Sequence, residues 1–170
     1  MYRSWPLIAA LMLVAALRFA HHHRQAAAKT ADQTQTKPNI LILCTGNSAR
    51  SQMSEGFFRH YVGDRFNVLS AGMKPAARVN PFAIQAMNEL GIDISGHQPK
   101  HANEFLRKLP IEYLITVCAS ADSECPAVIE RVPHRMAWPF DDPAAIQGTD
   151  EEKLAGFRRI RDEIHERIKT

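Results

Sequence analysis

The chain has 170 residues, 45% hydrophobic and 23% charged, which suits one globular domain and excludes collagen, coiled coil or whole-chain disorder. Its three cysteines are too few, and odd in number, for a disulfide-stapled secreted scaffold. The formal charge of +3 is unevenly spread: residues 1–38 carry five Lys/Arg and one Asp, a net of +4, and residues 39–170 carry sixteen Lys/Arg against seventeen Asp/Glu, a net of −1, so the body offers no electrostatic case for nucleic acid.

Trp5 to Leu17 is a continuous apolar run of thirteen residues between Arg3 and Arg18. A membrane span needs about 20 residues and a signal-peptide core about 7–15, so the length favours a signal-like segment. A short anchor joined by Phe19 and Ala20, or a start codon assigned too far upstream, are the other two readings. Positive charge is heavier after the run (Arg18, Arg24, Lys29) than before it, so an uncleaved anchor would leave the body in the cytoplasm. The expected organisation is a hydrophobic segment at residues 1–20, a flexible linker at 21–38 and one domain at 39–170. A cytoplasmic location is expected, with tethering through residues 5–20 or export by a signal peptide as alternatives.

In the body, Asn39–Leu43 reads as a buried strand and Ser51–Tyr61 as a helix with Met53, Phe57, Phe58 and Tyr61 at helical spacing. Phe66–Ala71 reads as a second strand ended by Gly72. Asn80-Pro81 is an N-cap followed by proline in the first helical turn, and that helix is expected to run through Leu90 to a Gly91 C-cap. Tyr113–Val117 is a third strand and Arg135–Trp138 a weaker fourth. Thr149 and Glu152 form a capping-box pair opening a last helix whose Leu154, Phe157, Ile160, Ile164 and Ile168 make one apolar stripe. Strands separated by helices imply an α/β domain: a four-stranded parallel sheet, right-handed crossovers and helices on both faces. Ligands bind such sheets beyond the C-terminal strand ends. Cys44, Cys118 and Asp141-Asp142-Pro143 all follow strands and so share that edge.

The segment Cys44-Thr45-Gly46-Asn47-Ser48-Ala49-Arg50-Ser51 leads from a strand directly into a helix. Gly46 and Asn47 tolerate unusual backbone angles, so successive N–H groups can converge on an anion, and the helix N-terminus adds positive potential. Arg50 offers a planar, permanent charge to a tetrahedral oxyanion. The same field is expected to lower the pKa of Cys44 and make it nucleophilic.

The string CTGNSARSQMSEG, residues 44–56, resembles the phosphate-type loop of the low-molecular-weight tyrosine phosphatase fold, and within that fold the chain is similar to the thioredoxin-coupled arsenate reductases from about Asn39 to the C-terminus. The resemblance implies arsenate as substrate, phosphate and sulfate as competing oxyanions, and thioredoxin as reductant in arsenate detoxification. It implies a relay: Cys44 attacks arsenic while Asp142 protonates the leaving hydroxide, Cys118 attacks Cys44 to release arsenite, and Cys125 carries the disulfide outward to thioredoxin. A phosphatase needs only the loop cysteine, the arginine and an acid, whereas Cys118 and Cys125 here are seven residues apart, as in the reductases. If residues 118–125 were helical the two would lie about 10 Å apart along the axis, beyond the about 7 Å a disulfide allows between Cα atoms, so the segment is expected to open on oxidation.

Polar residues near the loop read as supports: Asn47 and Ser70 are expected to hold its backbone by hydrogen bonds. The resemblance adds that some reductases bind potassium at positions matching Asn47, Glu55 and Ser70. A further acid of that site aligns with Lys100: a potassium ion near Asn47, Glu55 and Ser70, its replacement by the Lys100 ammonium, and an ordinary surface lysine are the alternatives. His97, His101 and His60 have no metal-ligand spacing, and without a nucleotide-binding glycine motif no NAD or ATP is expected. A monomer is expected. The alternative reading is a phosphatase for small phosphoesters or phosphotyrosine, although Ala144 and Ala145 stand where such phosphatases tend to carry aromatic residues. A binding or redox-sensing module without turnover is a further alternative.

Overall fold

The run Asn39-Ile-Leu-Ile-Leu-Cys44 is buried along its whole length and forms the inner strand β1 (Asn39–Cys44) of the computed structural model, which describes residues 37–119 and 131–170. Its branched side chains alternate between two cores. Ile40 and Ile42 enter one face with Val68 and Ile115, and Leu41 and Leu43 the other with Ala71 and Leu114. A strand covered on both sides reads as an unbroken apolar run because neither face meets water.

Strands β2 (Asn67–Gly72), β3 (Ile111–Thr116) and β4 (His134–Ala137) complete a four-stranded sheet in the order β2-β1-β3-β4. All three pairings are parallel, with Cys44 opposite Gly72 at the β1–β2 end and Leu43 opposite Thr116 at the β1–β3 end. Helices α1 (Arg50–Val62), α2 (Pro81–Asn88) and α4 (Asp150–Lys169) enclose a core of Met53, Phe57, Ala83, Met87, Phe157 and Ile160. The short α3 (Asn103–Leu106) places Leu106 over the opposite sheet face. The α/β reading of the sequence therefore holds, as does the apolar stripe on α4, with Leu154, Phe157, Ile160 and Ile164 buried. Its capping box is formed in both directions between Thr149 and Glu152.

Some boundaries differ. α2 ends at Asn88 rather than Leu90, because Leu90 N–H and Ile92 N–H both turn back to the Met87 carbonyl (3.0 and 3.2 Å). Gly91 takes the left-handed conformation (φ 73°) in that closing turn, and Leu90 is left exposed. Pro143–Ala145, for which no element is expected from the sequence, is a 3-10 turn capped by Asp142. Cys125, the expected opening of segment 118–125, the hydrophobic segment and most of the linker lie outside the described residues. Among the described residues no helix is long and apolar enough to cross a membrane.

Candidate active site

Cys44 ends β1, Cys118 lies just beyond β3, and Asp142 follows β4. The parallel order brings all three to one cavity of about 560 Å³, which Arg50, Phe140 and Ala144 also line. Both cysteines are thiols and both are buried. Thr45 Oγ1 lies 3.5 Å from Cys118 Sγ, tying the second thiol to the loop that carries the first.

The loop's carbonyls are turned outward and held there. Thr45 O accepts from Lys74 N–H (2.9 Å), Gly46 O from Ala76 N–H (2.8 Å) and Ser48 O from Asn80 N–H (2.8 Å). Asn47 O accepts from Gln52 Nε2 at 3.0 Å. In a planar trans peptide the N–H points opposite to the C=O, so the amides of Gly46, Asn47, Ser48 and Ala49 face inward. The Asn47 N–H does so visibly, donating to Cys44 Sγ at 3.0 Å. No side chain caps α1, so its first-turn amides keep a partial positive charge that favours an anion at this helix end. Asn47 is the one non-glycine residue with positive φ (47°) among the described residues, in the region its short polar side chain tolerates. Gly72 is required at the end of β2 for a different reason: a Cβ there would sit 2.6 Å from the Thr45 carbonyl oxygen.

Arg50 donates from Nη1 to the Phe140 carbonyl (3.0 Å) and places Nη2 3.4 Å from Asp142 Oδ1. Asp142 Oδ1 also accepts from Ala144 N–H at 3.2 Å. The guanidinium and the carboxyl therefore share the cavity mouth. Thr45, Gly46, Ser48 and Ala49 line the cavity itself.

Behind the thiol runs a buried polar chain with a definite direction. Lys100 N–H donates to Asn47 Oδ1 (2.8 Å), which fixes the amide so that Asn47 Nδ2 donates to Ser51 Oγ (2.9 Å) and Ser70 Oγ (2.8 Å). Ser51, accepting there, has its hydroxyl hydrogen left for Cys44 Sγ at 2.9 Å. Ser70 likewise donates to Glu55 Oε2 at 2.5 Å. Glu55 is buried between two cations, Arg59 Nη2 at 2.5 Å and Lys100 Nζ at 3.8 Å. Asn47, Glu55, Ser70 and Lys100 thus come together behind the loop. Their oxygens do not fit an added alkali ion: those of Asn47 and Glu55 are already committed to donors, and two positive charges already face the single carboxylate.

The expectation of an acidic Cys44 is corrected. Burial pushes the thiol above its ordinary pKa, and this outweighs the Ser51 hydroxyl, the Asn47 N–H and the Arg50 charge that pull it down. The nearby Cys118 pushes in the same direction as burial. The roles of three residues escaped the sequence reading. Gln52, fully buried, holds the Asn47 carbonyl, and His97 Nδ1 meets Gln52 Oε1 at 3.0 Å. Arg59 neutralises Glu55. Gln52 and Arg59 lie on α1 beside recognised residues, but nothing in their spacing marks them.

The model of the family described as low molecular weight phosphotyrosine protein phosphatase matches residues 39–170. The chain belongs to the low molecular weight phosphotyrosine protein phosphatase family. An arsenate reductase of Halalkalibacterium halodurans is 50% identical over 135 residues, covering 79% of this chain and 94% of that protein. Among solved structures, an arsenate reductase in a phosphate-binding state superposes with a TM-score of 0.66 at 30% identity, over 78% of this chain and 94% of that one. A thioredoxin-dependent arsenate reductase of Corynebacterium glutamicum gives a TM-score of 0.59 at 26% identity, over 92% of this chain and 73% of the other. This member of the phosphatase family has Ala144 on the cavity wall directly after the Asp142-Pro143 step, so no aromatic ring stands at that place.

Proposed function

We propose that this chain reduces arsenate to arsenite with Cys44, Cys118 and Cys125, and that thioredoxin returns the electrons. The observation that carries the reading is that two thiols, Cys44 and Cys118, line one cavity whose loop turns its amides inward for a tetrahedral oxyanion. The relatives' names supply the oxyanion, and the Corynebacterium glutamicum neighbour's name supplies the thioredoxin.

In the first step Cys44 sulfur attacks arsenic. A sulfur–arsenic bond forms, an arsenic–oxygen bond breaks, and the thiol proton ends on the departing oxygen as water. Asp142 at the cavity mouth carries that proton, and Arg50 with the loop amides holds the remaining oxygens. Cys118 sulfur then attacks Cys44 sulfur. A disulfide forms, the sulfur–arsenic bond breaks with its electron pair staying on arsenic, and the Cys118 thiol proton passes to an arsenic-bound oxygen as arsenite leaves. Cys125 sulfur attacks Cys118 sulfur, its proton passes to the released Cys44, and a dithiol protein reduces the Cys118–Cys125 disulfide by exchange. Lys100 takes the place of an alkali ion beside Glu55, so turnover is independent of added potassium.

The test is NADPH consumption with arsenate, thioredoxin and thioredoxin reductase, for wild type and for Cys44→Ser, Cys118→Ser and Cys125→Ser. Arsenate-driven turnover lost in each variant supports the relay. Absence of turnover with Cys44-dependent hydrolysis of para-nitrophenyl phosphate would overturn it in favour of a phosphatase.

A further inference from the structure

Gln52 lies in the first turn of α1 with no exposed surface, and every polar atom of its side chain is engaged. Nε2 donates to the Asn47 carbonyl (3.0 Å), to Asn47 Oδ1 (3.1 Å) and to the Gln98 carbonyl (3.2 Å). All three partners are acceptors, and one of them, Asn47 Oδ1, is fixed as an acceptor by the Lys100 N–H. The amide can therefore sit only one way round, with Oε1 toward His97 Nδ1. It follows that His97 carries its proton on Nδ1, consistent with a ring that burial keeps neutral.

The peptide between Asn47 and Ser48 differs from its neighbours. The peptides on either side are pinned by backbone donors of the segment at residues 74–80, which runs along the outside of the loop. This one is pinned by the Gln52 side chain. We propose that Gln52 is a positioning residue for the oxyanion: by holding the Asn47 carbonyl outward it keeps the Ser48 N–H aimed into the anion cradle, and His97 keeps Gln52 in that orientation. Without the clamp the peptide turns, removing one amide donor from the anion and presenting a carbonyl oxygen to it instead.

The inference rests on the loop's binding a tetrahedral oxyanion, and the experiment separates the two claims. Inorganic phosphate is the probe. Its dissociation constant is read from protection of Cys44 against iodoacetamide, in wild type, Gln52→Met and His97→Phe, with thermal midpoints measured alongside. Gln52→Met is expected to bind phosphate about tenfold more weakly, the loss that follows when one hydrogen bond to a charged group is misaligned. His97→Phe is expected to shift it in the same direction by a smaller factor, because Gln52 remains but can swap its amide ends. A role in packing alone lowers the midpoint and leaves the phosphate constant where it was. Constants within twofold of wild type in the variants that fold would overturn the proposal, and His97→Phe serves that comparison if Gln52→Met does not fold. Wild type unprotected by phosphate would overturn the oxyanion reading and the clamp together.

Discussion

Cys44 is pulled in two directions. The Ser51 hydroxyl, the Asn47 amide and the Arg50 guanidinium favour its thiolate, while burial favours the thiol and prevails. The sign of the pH effect follows. An unfolded cysteine loses its proton near about pH 8.5, and the folded thiol holds on to it at higher pH. The contribution of this group to stability is complete below the unfolded pKa and is lost as pH rises through the native one. Wild type should therefore lose more stability than Cys44→Ser between about pH 7.5 and about pH 9.5, read as urea midpoints. Equal losses in the two proteins would show that the native thiol is not held protonated. What the sequence reveals at this scale divides cleanly. Asn47 is readable because few residues accept a positive φ, and Arg50 because five residues separate it from Cys44 between a strand and a helix. The partnership of Gln52 with His97 spans 45 residues of chain and exists only once the loop before α3 folds against α1, so no local pattern announces it.

At the scale of elements, the loop is built by what passes beneath it. Gly72 ends β2 where the loop crosses, and a methyl group there would lie 2.6 Å from the Thr45 oxygen, 2.9 Å from the Asn47 nitrogen and 3.0 Å from the Gly46 carbonyl carbon. All three atoms are backbone, and the loop they belong to is tied to residues 74–80, so nothing nearby yields cheaply. Gly72→Ala should cost about 1–3 kcal/mol of stability by overpacking and reduce arsenate kcat/KM by about tenfold or more through displacement of the cradle. Gly96 is the matched control, since an added Cβ there meets nothing within 4 Å. Gly96→Ala should stay within about 0.5 kcal/mol of wild type. Urea denaturation and steady-state kinetics on both variants check this, and equal behaviour of the two would refute the close-approach argument. The sequence marks Gly72 only as a strand terminator, because the crowding comes from a segment far from it in sequence. Chemistry carried by adjacent residues is more legible. The Asn80 cap, donating partner Phe82 N–H at 2.9 Å, and the Thr149–Glu152 box are both formed as the residue types predict.

At the scale of the molecule, alternation of strands and helices decides where the chemistry lies. A parallel sheet in the order β2-β1-β3-β4 carries the ends of β1, β3 and β4 to one edge, which is why Cys44, Cys118 and Asp142 meet although nearly a hundred residues separate the first from the last. That convergence could be read before any coordinates. The final leg of the proposed relay could not be placed, since it depends on Cys125, seven residues beyond Cys118 and outside the described segment. A helical spacing of about 10 Å exceeds what a disulfide spans, about 7 Å between Cα atoms, so transfer to Cys125 requires residues 118–125 to depart from a regular helix. Single turnover without thioredoxin isolates this step. Reduced protein given excess arsenate should release one equivalent of arsenite per chain and stop, with peptide mapping finding Cys118 joined to Cys125. In Cys125→Ser the same single equivalent should appear, with Cys44 now joined to Cys118. In Cys118→Ser arsenite release should fall to background, since no second thiol reaches the adduct. A Cys44–Cys125 disulfide in that variant, with arsenite released, would mean that Cys125 can attack directly, and the order of the relay would have to be redrawn.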